Sequence, residues 1–535
     1  MSVIEDRIRT QFAPRYLRLE DLLNDQRTMS AVDSFSYWHE QADLHQEVYR
    51  AFVPMTVPEA GEQYAFEVDL DACSGCKACV VACHNLNDLD EGETWRKVGT
   101  ITSTKADLPV VQHVTTACHH CVDPGCLKGC PVKAYEKDER TGIVKHLDDQ
   151  CFGCKYCTMM CPYEVPQYSK RLGIVRKCDM CSQRLSMGAA PACVQACPNA
   201  AIRISVVTRE QCRPASREEA LVATAPASLP TQPTTQFKTA RRSALLQSNT
   251  SNWGLQSLES ATESVQDGHW PLVAMLTLSQ ASVGVWSCLC ISSPSGPVTI
   301  ALAWLATFLG VVGVHAALFH LGRPLYAYRV FLGWRTSWLS REAIGLGAFM
   351  ASSVTTSVVM TLSALGFQGV GLLVTPGTYA TGILGWIGAY CSAMIYIATG
   401  RRVWSWSRTI WDMAWTILGL GCLGYGSIAV LPYGWMWGAW AFSMLATIPK
   451  CIDLWRGDHV HDTSGQDVSA RSGRLMRQEL MPQVGWLLNL SFITLIAIFM
   501  ERNEIALLGA IAFHAVHRWI YFASCVFQRM PGAAT

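Results

Sequence analysis

Sixteen cysteines between residues 73 and 197 constrain this chain more than any other feature of its sequence. They form four groups of four. Two groups have the spacing C-x2-C-x2-C-x3-C, another has C-x2-C-x4-C-x3-C, and the last has C-x2-C-x11-C-x3-C. A proline follows the final cysteine of three groups. In chain order the groups are Cys73, Cys76, Cys79 and Cys83; Cys118, Cys121, Cys126 and Cys130; Cys151, Cys154, Cys157 and Cys161; and Cys178, Cys181, Cys193 and Cys197.

This spacing is typical of iron–sulfur ligands. Three thiolates two residues apart can bind three irons of one cubane from a tight loop, and the fourth cysteine of such a run ligates the other cluster of a pair. Zinc ribbons and a disulfide scaffold are the structural alternatives, but zinc sites use paired C-x2-C knuckles rather than triplets closed by C-P. The sequence therefore predicts four [4Fe–4S] clusters. The seven other cysteines lack ligand spacing and are predicted to be ordinary thiols.

The chain has two parts of different composition. Almost all long apolar runs lie after residue 268, and eight of them are close to the roughly 20 residues that a membrane helix needs. Buried helices of a soluble protein are the alternative, which eight long segments with short connections disfavour. The formal net charge of +1 gives no basic footprint for nucleic acid. The predicted spans are 269–292, 297–320, 342–365, 379–399, 409–431, 433–449, 482–500 and 504–527.

The predicted fold is an α+β ferredoxin-like domain with four clusters, followed by an all-α membrane domain of about eight transmembrane helices. Residues 1–63 are predicted to be a helical extension, and residues 64–206 the cluster domain. Residues 207–267 are rich in Ser, Thr, Ala, Pro and Gln, which indicates a linker, and residues 268–535 form the membrane domain.

The charges of the loops predict the orientation in the membrane. If the cysteine domain lies inside, nearly all loop lysines and arginines lie on the inner side, and the outer loops carry one, Arg502. The positive-inside rule then places the cysteine domain and both termini on the cytoplasmic side of the inner membrane. The first residues show neither an apolar signal core nor a twin-arginine pair, which agrees with this orientation.

The cysteine pattern over 64–206 resembles the four-cluster ferredoxin subunits of molybdopterin oxidoreductases. The stretch FEVDLDACSGCKACVVACHNLN is most similar to the dimethyl sulfoxide reductase branch of that family. The membrane half is similar to the eight-helix anchor subunit of the same enzyme, in the segments HWPLVAMLTLSQ, LFHLGRPLYAYR, SWLSREA and YCSAMIYIATGRRVW. The two subunits are separate polypeptides in that family, so the resemblance implies that they are fused here.

The resemblance also implies how the cysteine groups share clusters. In the family the first and fourth groups bind two clusters together, and the second and third groups bind the other two. Carried over, cluster 1 takes Cys73, Cys76, Cys79 and Cys197, and cluster 2 takes Cys83, Cys178, Cys181 and Cys193. Cluster 3 takes Cys118, Cys121, Cys126 and Cys161, and cluster 4 takes Cys130, Cys151, Cys154 and Cys157.

Ionisable residues gather at the predicted inner ends of the second and third membrane helices. Such residues are costly in a bilayer unless they serve a function, and a quinol site needs hydrogen-bond partners and a path for protons. The resembling anchor has a menaquinol region that contains a histidine of an HLG motif and a glutamate in a Ser-x-Glu context, which match His320 and Glu342. The predicted quinol site comprises Glu342, His320, His315, Arg323 and Arg341. The alternative is that Glu342 and the arginines only lie among lipid headgroups.

A second polar group lies in the last predicted helix. His514 and His517 are three residues apart and therefore share a helix face. They could reach the quinol site, ligate a haem or satisfy one another. The resembling anchor carries no haem, so none is expected here.

These observations predict an electron-transfer and membrane-anchor subunit. Menaquinol or another quinol would be oxidised in this chain, and electrons would pass through four clusters to a separate catalytic subunit with a bis-molybdopterin guanine dinucleotide cofactor. That partner would reduce an S-oxide, N-oxide, nitrate or polysulfide in anaerobic respiration. Two alternatives stay open: the same wiring run in reverse, as a dehydrogenase that reduces quinone, and a membrane transporter or pump coupled to a ferredoxin module.

Overall fold

The computed structural model describes residues 52–54, 56–103, 110–216, 219–240, 255–258, 265–292, 296–367, 369–429, 433–459 and 468–532. Most of the predicted N-terminal extension, 1–63, lies outside these residues. The described chain divides into a part built of short strands, short helices and loops, up to Ser257, and a helical part from Trp270 to Ala523.

The first part contains ten strands and five short helices within the described residues. The strands are β1 (Glu62–Asp69), β2 (Lys97–Ser103), β3 (Val111–Thr116), β4 (Tyr135–Lys137), β5 (Val144–His146), β6 (Gln167–Ser169), β7 (Ile174–Arg176), β8 (Ile202–Thr208), β9 (Gln236–Lys238) and β10 (Leu255–Ser257). The helices are α1 (Ala78–Leu86), α2 (Gly125–Gly129), α3 (Tyr156–Met160), α4 (Ser182–Ser186) and α5 (Ala192–Gln195).

Four small sheets connect the cysteine groups to one another. β1 pairs antiparallel with β8, so the strands that flank the whole cysteine-rich stretch lie side by side. The hairpin β4–β5 joins the end of the second group to the start of the third, and the hairpin β6–β7 joins the third to the fourth. This pairing brings groups together that are distant in sequence, because each hairpin reverses the chain direction from one group to the next.

Parts of the segment 207–267 take part in these sheets. β9 pairs parallel with β1, and β10 pairs antiparallel with β2, which also pairs with β3. Val222, Phe237 and Leu255 are buried against the same hydrophobic core as Phe66 of β1. The described parts of this segment therefore pack on the cysteine-rich part of the chain.

Nine helices form the second part of the described chain. They are α6 (Trp270–Ser292), α7 (Pro297–Ala316), α8 (Trp338–Ala364), α9 (Val374–Ile397), α10 (Trp406–Gly426), α11 (Tyr433–His459), α12 (Val468–Glu479), α13 (Met481–Phe499) and α14 (Asn503–Ala523). Eight of them overlap the eight predicted spans, and the additional helix, α12, is short and amphipathic. α6 packs against α7, α9, α10 and α14 and so forms the centre of the bundle.

Six stretches of the described helical part are long and apolar enough to cross a membrane. They are Trp270–Ser292, Pro297–His320, Trp338–Ala364, Val370–Ile397, Met481–Phe499 and Asn503–Ala523. The helices α10 and α11 are less apolar than these six stretches. The buried Asp412 interrupts the apolar character of α10, and the buried Lys450 and Asp453 do the same in α11.

Candidate functional site

Two cavities in the first part of the chain are each lined by four cysteines. Residues of the loop before α1 and of β8 line one of them, and residues before α2 and around α3 line the other. The first cavity contains Cys73, Cys76, Cys79 and Cys197. The second contains Cys118, Cys121, Cys126 and Cys161. Each set combines three cysteines of one group with the last cysteine of another, and the two sets are those that the family resemblance implies for clusters 1 and 3.

The other eight cysteines form two further neighbourhoods. Cys83 lies within electrostatic range of Cys181 and Cys193, and Cys178 lies within range of Cys83 and Cys181. In the other neighbourhood, Cys157 lies within range of Cys130, Cys151 and Cys154. These neighbourhoods include the cysteines predicted for clusters 2 and 4, and Cys178 also lies near Cys118 of the cluster 3 set.

The cysteine thiols line cavities and do not converge on one point. In the part of the chain that the structure describes, no three His, Cys, Asp or Glu side chains are placed to hold a single metal ion. A tetrahedral zinc site with Zn–S bonds of about 2.3 Å would bring its thiolates to roughly 3.8 Å from one another.

The backbone after the Cys-Pro pairs turns back towards the sulfur atoms. The residue three positions after each of these cysteines has a left-handed conformation that is uncommon for a residue with a side chain. These residues are Lys133, Glu164 and Ala200, with φ of 55°, 52° and 50°. In consequence the N–H of Ala134 donates to Cys130 Sγ at 3.2 Å, and the N–H of Ala201 donates to Cys197 Sγ at 3.3 Å. Such bonds stabilise a thiolate, which is the form that binds iron.

A buried arginine lies among the sulfur atoms of the first and fourth groups. Arg96 is fully buried, and its Nη1 donates to the hydroxyl of Thr115 at 3.2 Å. Its Nε and Nη2 have no hydrogen-bond partner in the described part of the chain. Burial alone would lower the pKa of Arg96, but the thiolates of Cys193 and Cys79 raise it above its ordinary value.

A buried lysine, Lys177, lies among the thiols of the second and third groups, as Arg96 lies among those of the first and fourth. Lys177 lines the cavity of the cluster 3 set, and its Nζ donates to the carbonyls of Cys178, at 2.8 Å, and Val144. Burial opposes its charge, yet the thiolates of Cys118 and Cys126 raise the pKa of Lys177. A buried cation is retained only where negative charge compensates it. Arg96 and Lys177 therefore fit a core that holds anionic clusters.

The loop of the cluster 4 set docks directly on the helical part. The N–H of Arg323 donates to Phe152 O at 3.0 Å, and its guanidinium donates to Asp148 O at 3.2 Å. The preceding residue, Gly322, lies so close that a Cβ on it would be 2.0 Å from the carbonyl oxygen of Gly173. Arg323, predicted as a quinol-site residue, thus holds the two parts of the chain together.

Glu342 is buried near the start of α8, next to the same loop. The hydroxyl of Ser392 on α9 donates to Glu342 Oε1 at 2.5 Å. Tyr156 of α3 enters the helical part and donates its hydroxyl to Ile395 O at 3.1 Å. Ser392 and Ile395 are three residues apart on α9, so Glu342 and Tyr156 contact the same stretch of that helix. A residue between two cluster 4 ligands therefore shares a buried neighbourhood with the predicted proton-handling carboxylate.

His320 lies near Lys155, the residue before Tyr156 in the loop from Cys154 to Cys157. Its Nδ1 hydrogen-bonds to Ala317 O, and Lys155 and His269 lie within its electrostatic range. Within the described residues no hydrogen bond joins His320 to Glu342. Two neighbouring residues of the loop from Cys154 to Cys157 lie near these side chains. Lys155 lies near His320, and Tyr156 lies near Glu342.

Two further predicted residues, His315 and Arg341, form no hydrogen bond with Glu342 within the described residues. His315 is exposed on α7, where its Nδ1 bonds to Val311 O at 2.8 Å. Arg341 donates to Trp334 O at 3.1 Å and lies 4.3 Å above the ring of Trp338. Arg341 therefore supports the turn that precedes α8.

The second polar group is buried in the bundle. Arg518 Nη2 lies 3.0 Å from Asp412 Oδ1 and donates to Gln280 Oε1 at 3.0 Å. His514 and His517 are fully buried, and none of their ring nitrogens has a hydrogen-bond partner in the described part of the chain. This group joins α6, α10 and α14 at about the middle of the bundle.

Sequence reasoning missed several of these side chains. A cation directly before Cys178 and a tyrosine between Cys154 and Cys157 are local signals that could have drawn attention to Lys177 and Tyr156. Arg96 and Ser392 carry no such signal, because neither is close in sequence to a predicted ligand or site residue.

Comparison with known proteins identifies the cysteine-rich part. A family model described as a 4Fe-4S dicluster domain matches residues 110–207. The B subunit of the anaerobic dimethyl sulfoxide reductase of Haemophilus influenzae is 36% identical over 181 residues, which is 32% of this chain and 87% of the relative. The B subunit of the same enzyme from Escherichia coli K12 is 38% identical over 144 residues, 25% of this chain and 70% of the relative.

The similarity extends to other oxidoreductases. The iron–sulfur subunit of the nitrate-inducible formate dehydrogenase of Escherichia coli K12 is 36% identical over 167 residues, 28% of this chain and 56% of the relative. The matched stretches are about a third of this chain or less, and the chain also contains the helical part described above. The chain therefore belongs to the family of the iron–sulfur subunits of anaerobic dimethyl sulfoxide reductase, with membrane-type helices fused behind the iron–sulfur domain.

Proposed function

We propose that this chain passes electrons between quinol in the membrane and a separate molybdopterin catalytic subunit. One observation is the main support for this proposal. Tyr156, which lies between the predicted cluster ligands Cys154 and Cys157, shares a buried neighbourhood with Glu342 of the helical part. A carboxylate that can take a proton and the loop of a predicted electron carrier thus contact the same stretch of α9, and quinol oxidation releases both protons and electrons.

The four cysteine sets would hold four [4Fe–4S] clusters, which supply one-electron carriers when bound. The protein supplies the thiolates, the backbone N–H groups of Ala134 and Ala201, and the compensating charges of Arg96 and Lys177. Hydrogen bonds to sulfur and nearby charge set the potential of such clusters. Cluster 4 would be the first carrier from the membrane, because its loop contacts Arg323 of the helical part.

Glu342 and His320 would handle the protons. Glu342 is buried and held by the Ser392 hydroxyl, so its carboxylate has a fixed position. An ionisable residue within a membrane segment serves a function by default, because burying it there is costly. His320 would take the second proton, and Arg323 would keep the cluster 4 loop in place through its bonds to Phe152 and Asp148.

All eight long helices would cross the inner membrane, with the cluster domain and both termini in the cytoplasm. The ion pair of Asp412 and Arg518 supports a span at α10, because each charge compensates the other inside the bundle. An even number of spans returns the chain to its starting side. The excess of positive loop residues on the side of the cluster domain supports the cytoplasmic orientation.

A molybdopterin subunit would dock at the other end of the cluster series. The relatives named as subunits of dimethyl sulfoxide reductase support such a partner. Cys76 of the cluster 1 set is exposed, which suits transfer to a docked protein. The similarity to a formate dehydrogenase subunit supports the second candidate, transfer from a catalytic subunit to quinone.

Purification in mild detergent followed by rapid-mixing absorbance tests the proposal. We expect iron near sixteen atoms per chain, which is four clusters of four, together with molybdenum or tungsten in a large co-purifying subunit. Quinol should reduce the clusters of the wild type. Glu342→Gln should block this reduction and leave reduction by dithionite intact, whereas Glu479→Gln, at an exposed carboxylate of α12, should behave as the wild type. Equal quinol-dependent rates in all three proteins would remove Glu342 from the mechanism.

A further inference from the structure

Two cysteines of the helical part lie side by side. Sγ of Cys288 on α6 is 3.9 Å from Sγ of Cys422 on α10, although the two residues are 134 positions apart in the chain. Both side chains are half-buried, and neither belongs to a predicted cluster set. Sulfur atoms at this distance are in van der Waals contact, so a small movement of the side chains can close the gap to the bond length of a disulfide, about 2.05 Å.

The backbones of α6 and α10 approach closely next to this pair. A Cβ on Gly421 would lie 2.5 Å from Cα of Gly284, and a Cβ on Gly284 would lie 2.6 Å from Cα of Gly421. Cys422 directly follows Gly421, and Cys288 is one helical turn after Gly284. Small residues allow membrane helices to approach in this way. The two helices are therefore close enough for the separation of roughly 4.4–6.8 Å between Cα atoms that a disulfide requires.

The neighbouring cysteine on α6 faces a different helix. Sγ of Cys290 donates to Thr378 O of α9 at 3.3 Å, and a Cβ on Gly382 of α9 would lie 2.7 Å from the same sulfur. Residues two positions apart do not share a helix face. Cys290 therefore cannot replace Cys288 as the partner of Cys422. Within the described residues no third side chain completes a metal site with the pair.

The pair lies at the end of the bundle that is remote from the iron–sulfur domain. Cys288 is one turn before the end of α6, and Cys422 is one turn before the end of α10. The other ends of these helices begin beside the iron–sulfur domain, where His269 and Trp404 line a cavity together with Met159. In the orientation of the proposed function, the pair lies towards the outer surface of the membrane. Disulfides form and persist in the compartment on that side.

We propose that Cys288 and Cys422 form a disulfide that links α6 to α10. This inference goes beyond electron transfer and takes only the orientation from the proposed function. The oxidant is another disulfide, carried by a protein or a small molecule of the outer compartment. One cysteine thiolate attacks a sulfur of the oxidant and releases its first thiol, and the other cysteine then attacks the mixed disulfide and releases the second. The pair loses two protons and two electrons, and the oxidant gains them.

The link fastens the central helix of the bundle to a neighbour that shares a buried polar group with it. Gln280 of α6 accepts a hydrogen bond from Arg518, and Arg518 pairs with Asp412 of α10. A covalent bond between the same two helices restricts their movement relative to one another. The disulfide should therefore stabilise the helical part and leave the cluster ligands unaffected.

Differential alkylation in growing cells tests the link. Acid quenching, light N-ethylmaleimide, reduction and then heavy N-ethylmaleimide give the oxidised fraction of each cysteine by mass spectrometry. We expect Cys288 and Cys422 to be oxidised and joined in one linked peptide pair, with Cys290 reduced. Cys288→Ser should leave Cys422 reduced, whereas Cys290→Ser is the matched control and should leave the link unchanged.

Thermal unfolding of the purified protein provides a second measurement. A phosphine reductant should lower the Tm of the wild type by about 5 °C or more, since a link across 134 positions restricts the unfolded chain. Cys288→Ser should unfold at the temperature of the reduced wild type and no longer respond to the reductant. Its iron content should equal that of the wild type, which separates loss of the link from loss of a cluster.

Two results would overturn the inference. One is an oxidised fraction of Cys288 and Cys422 no higher than that of Cys290. The other is wild-type oxidation of Cys422 in Cys288→Ser, because the partner of Cys422 would then lie elsewhere. The linked peptide pair in a protein that accepts no electrons from quinol would support the disulfide and contradict the proposed function.

Discussion

Arg96 and Cys79 are connected through a single hydroxyl. Nη1 of Arg96 donates to Thr115 Oγ1 at 3.2 Å, and that oxygen lies 3.6 Å from Cys79 Sγ. Reduction adds negative charge to a cluster, so a buried cation nearby favours the reduced state. The effect is strong where water does not screen it, and Arg96 is 1% exposed.

Arg96→Gln should therefore lower the reduction potential of cluster 1 or cluster 2. We expect a shift of about 60 mV or more, which corresponds to tenfold in a one-electron equilibrium. Redox titration followed by electron paramagnetic resonance measures it. Arg96→Lys retains the charge and should restore most of the potential, and Arg140→Gln, at an exposed arginine, should change nothing. An unchanged potential in Arg96→Gln contradicts an electrostatic role.

Cys154→Ser tests the ligand sets directly. Cys154 belongs to the cluster 4 set with Cys130, Cys151 and Cys157, so its loss should remove or convert that cluster alone. The iron content should fall by about one to four atoms per chain, from the sixteen of four clusters. Iron analysis and the loss of one paramagnetic signal measure this. Cys212→Ser, at a cysteine without ligand spacing, should retain full iron, and full iron in Cys154→Ser would exclude it as a ligand.

Gly322→Ala should weaken the docking of the two parts of the chain. The added Cβ would lie 2.0 Å from Gly173 O, and the backbone on both sides has to move to accommodate it. Overpacking of this kind costs about 1–3 kcal/mol. We expect slower quinol-dependent cluster reduction, unchanged reduction by dithionite, and faster proteolysis between the two parts.

Gly347→Ala on α8 is the matched control for this change. No heavy atom lies within 4 Å of the position of its Cβ, so the substitution should leave both rates unchanged. If Gly322→Ala and Gly347→Ala behave alike, the close approach at Gly322 has no role in holding the interface.

Asp412→Ala should destabilise the helical part. It removes the partner of Arg518, whose guanidinium is 1% exposed, and leaves a buried charge without compensation. Removing one member of a buried pair costs about 3–5 kcal/mol, whereas replacing both by apolar residues is often nearly neutral. Thermal unfolding in detergent should show a clear drop in Tm for Asp412→Ala and a partial recovery in the double variant Asp412→Leu, Arg518→Leu. Additive effects of the two changes would argue against the pair.

Local spacing accounts for what could be predicted from the sequence. The iron–sulfur domain and its family were predicted correctly, because cluster ligands lie two or three residues apart and leave a pattern in any short window. Of the eight predicted spans, six coincide with helices long and apolar enough to cross a membrane, and they were predictable for the same reason, since a membrane helix is one continuous segment. The spans predicted over α10 and α11 stay predictions, because Asp412, Lys450 and Asp453 disrupt the apolar pattern there.

The site between the two parts depends on contacts that no local pattern contains. Tyr156 and Ile395 are 239 residues apart, yet a hydrogen bond of 3.1 Å joins them. Arg96 is close to the sulfur atoms only because β2 and β3 place it next to Thr115, 19 residues away. The predicted residue His315 is exposed on α7 and bonds to Val311 O, because a position near the end of a helix does not determine which way a side chain points.

The sequence by itself determined that the chain has an iron–sulfur domain of this family and six segments apolar enough to cross a membrane. Both properties depend on the identity and spacing of near neighbours. The tertiary structure alone decided that Tyr156 and Glu342 contact the same stretch of α9, that Arg96 and Lys177 lie among the thiols, and that Arg323 joins the two parts of the chain. Those arrangements arise from packing between distant segments, where shape and buried charge must be satisfied together.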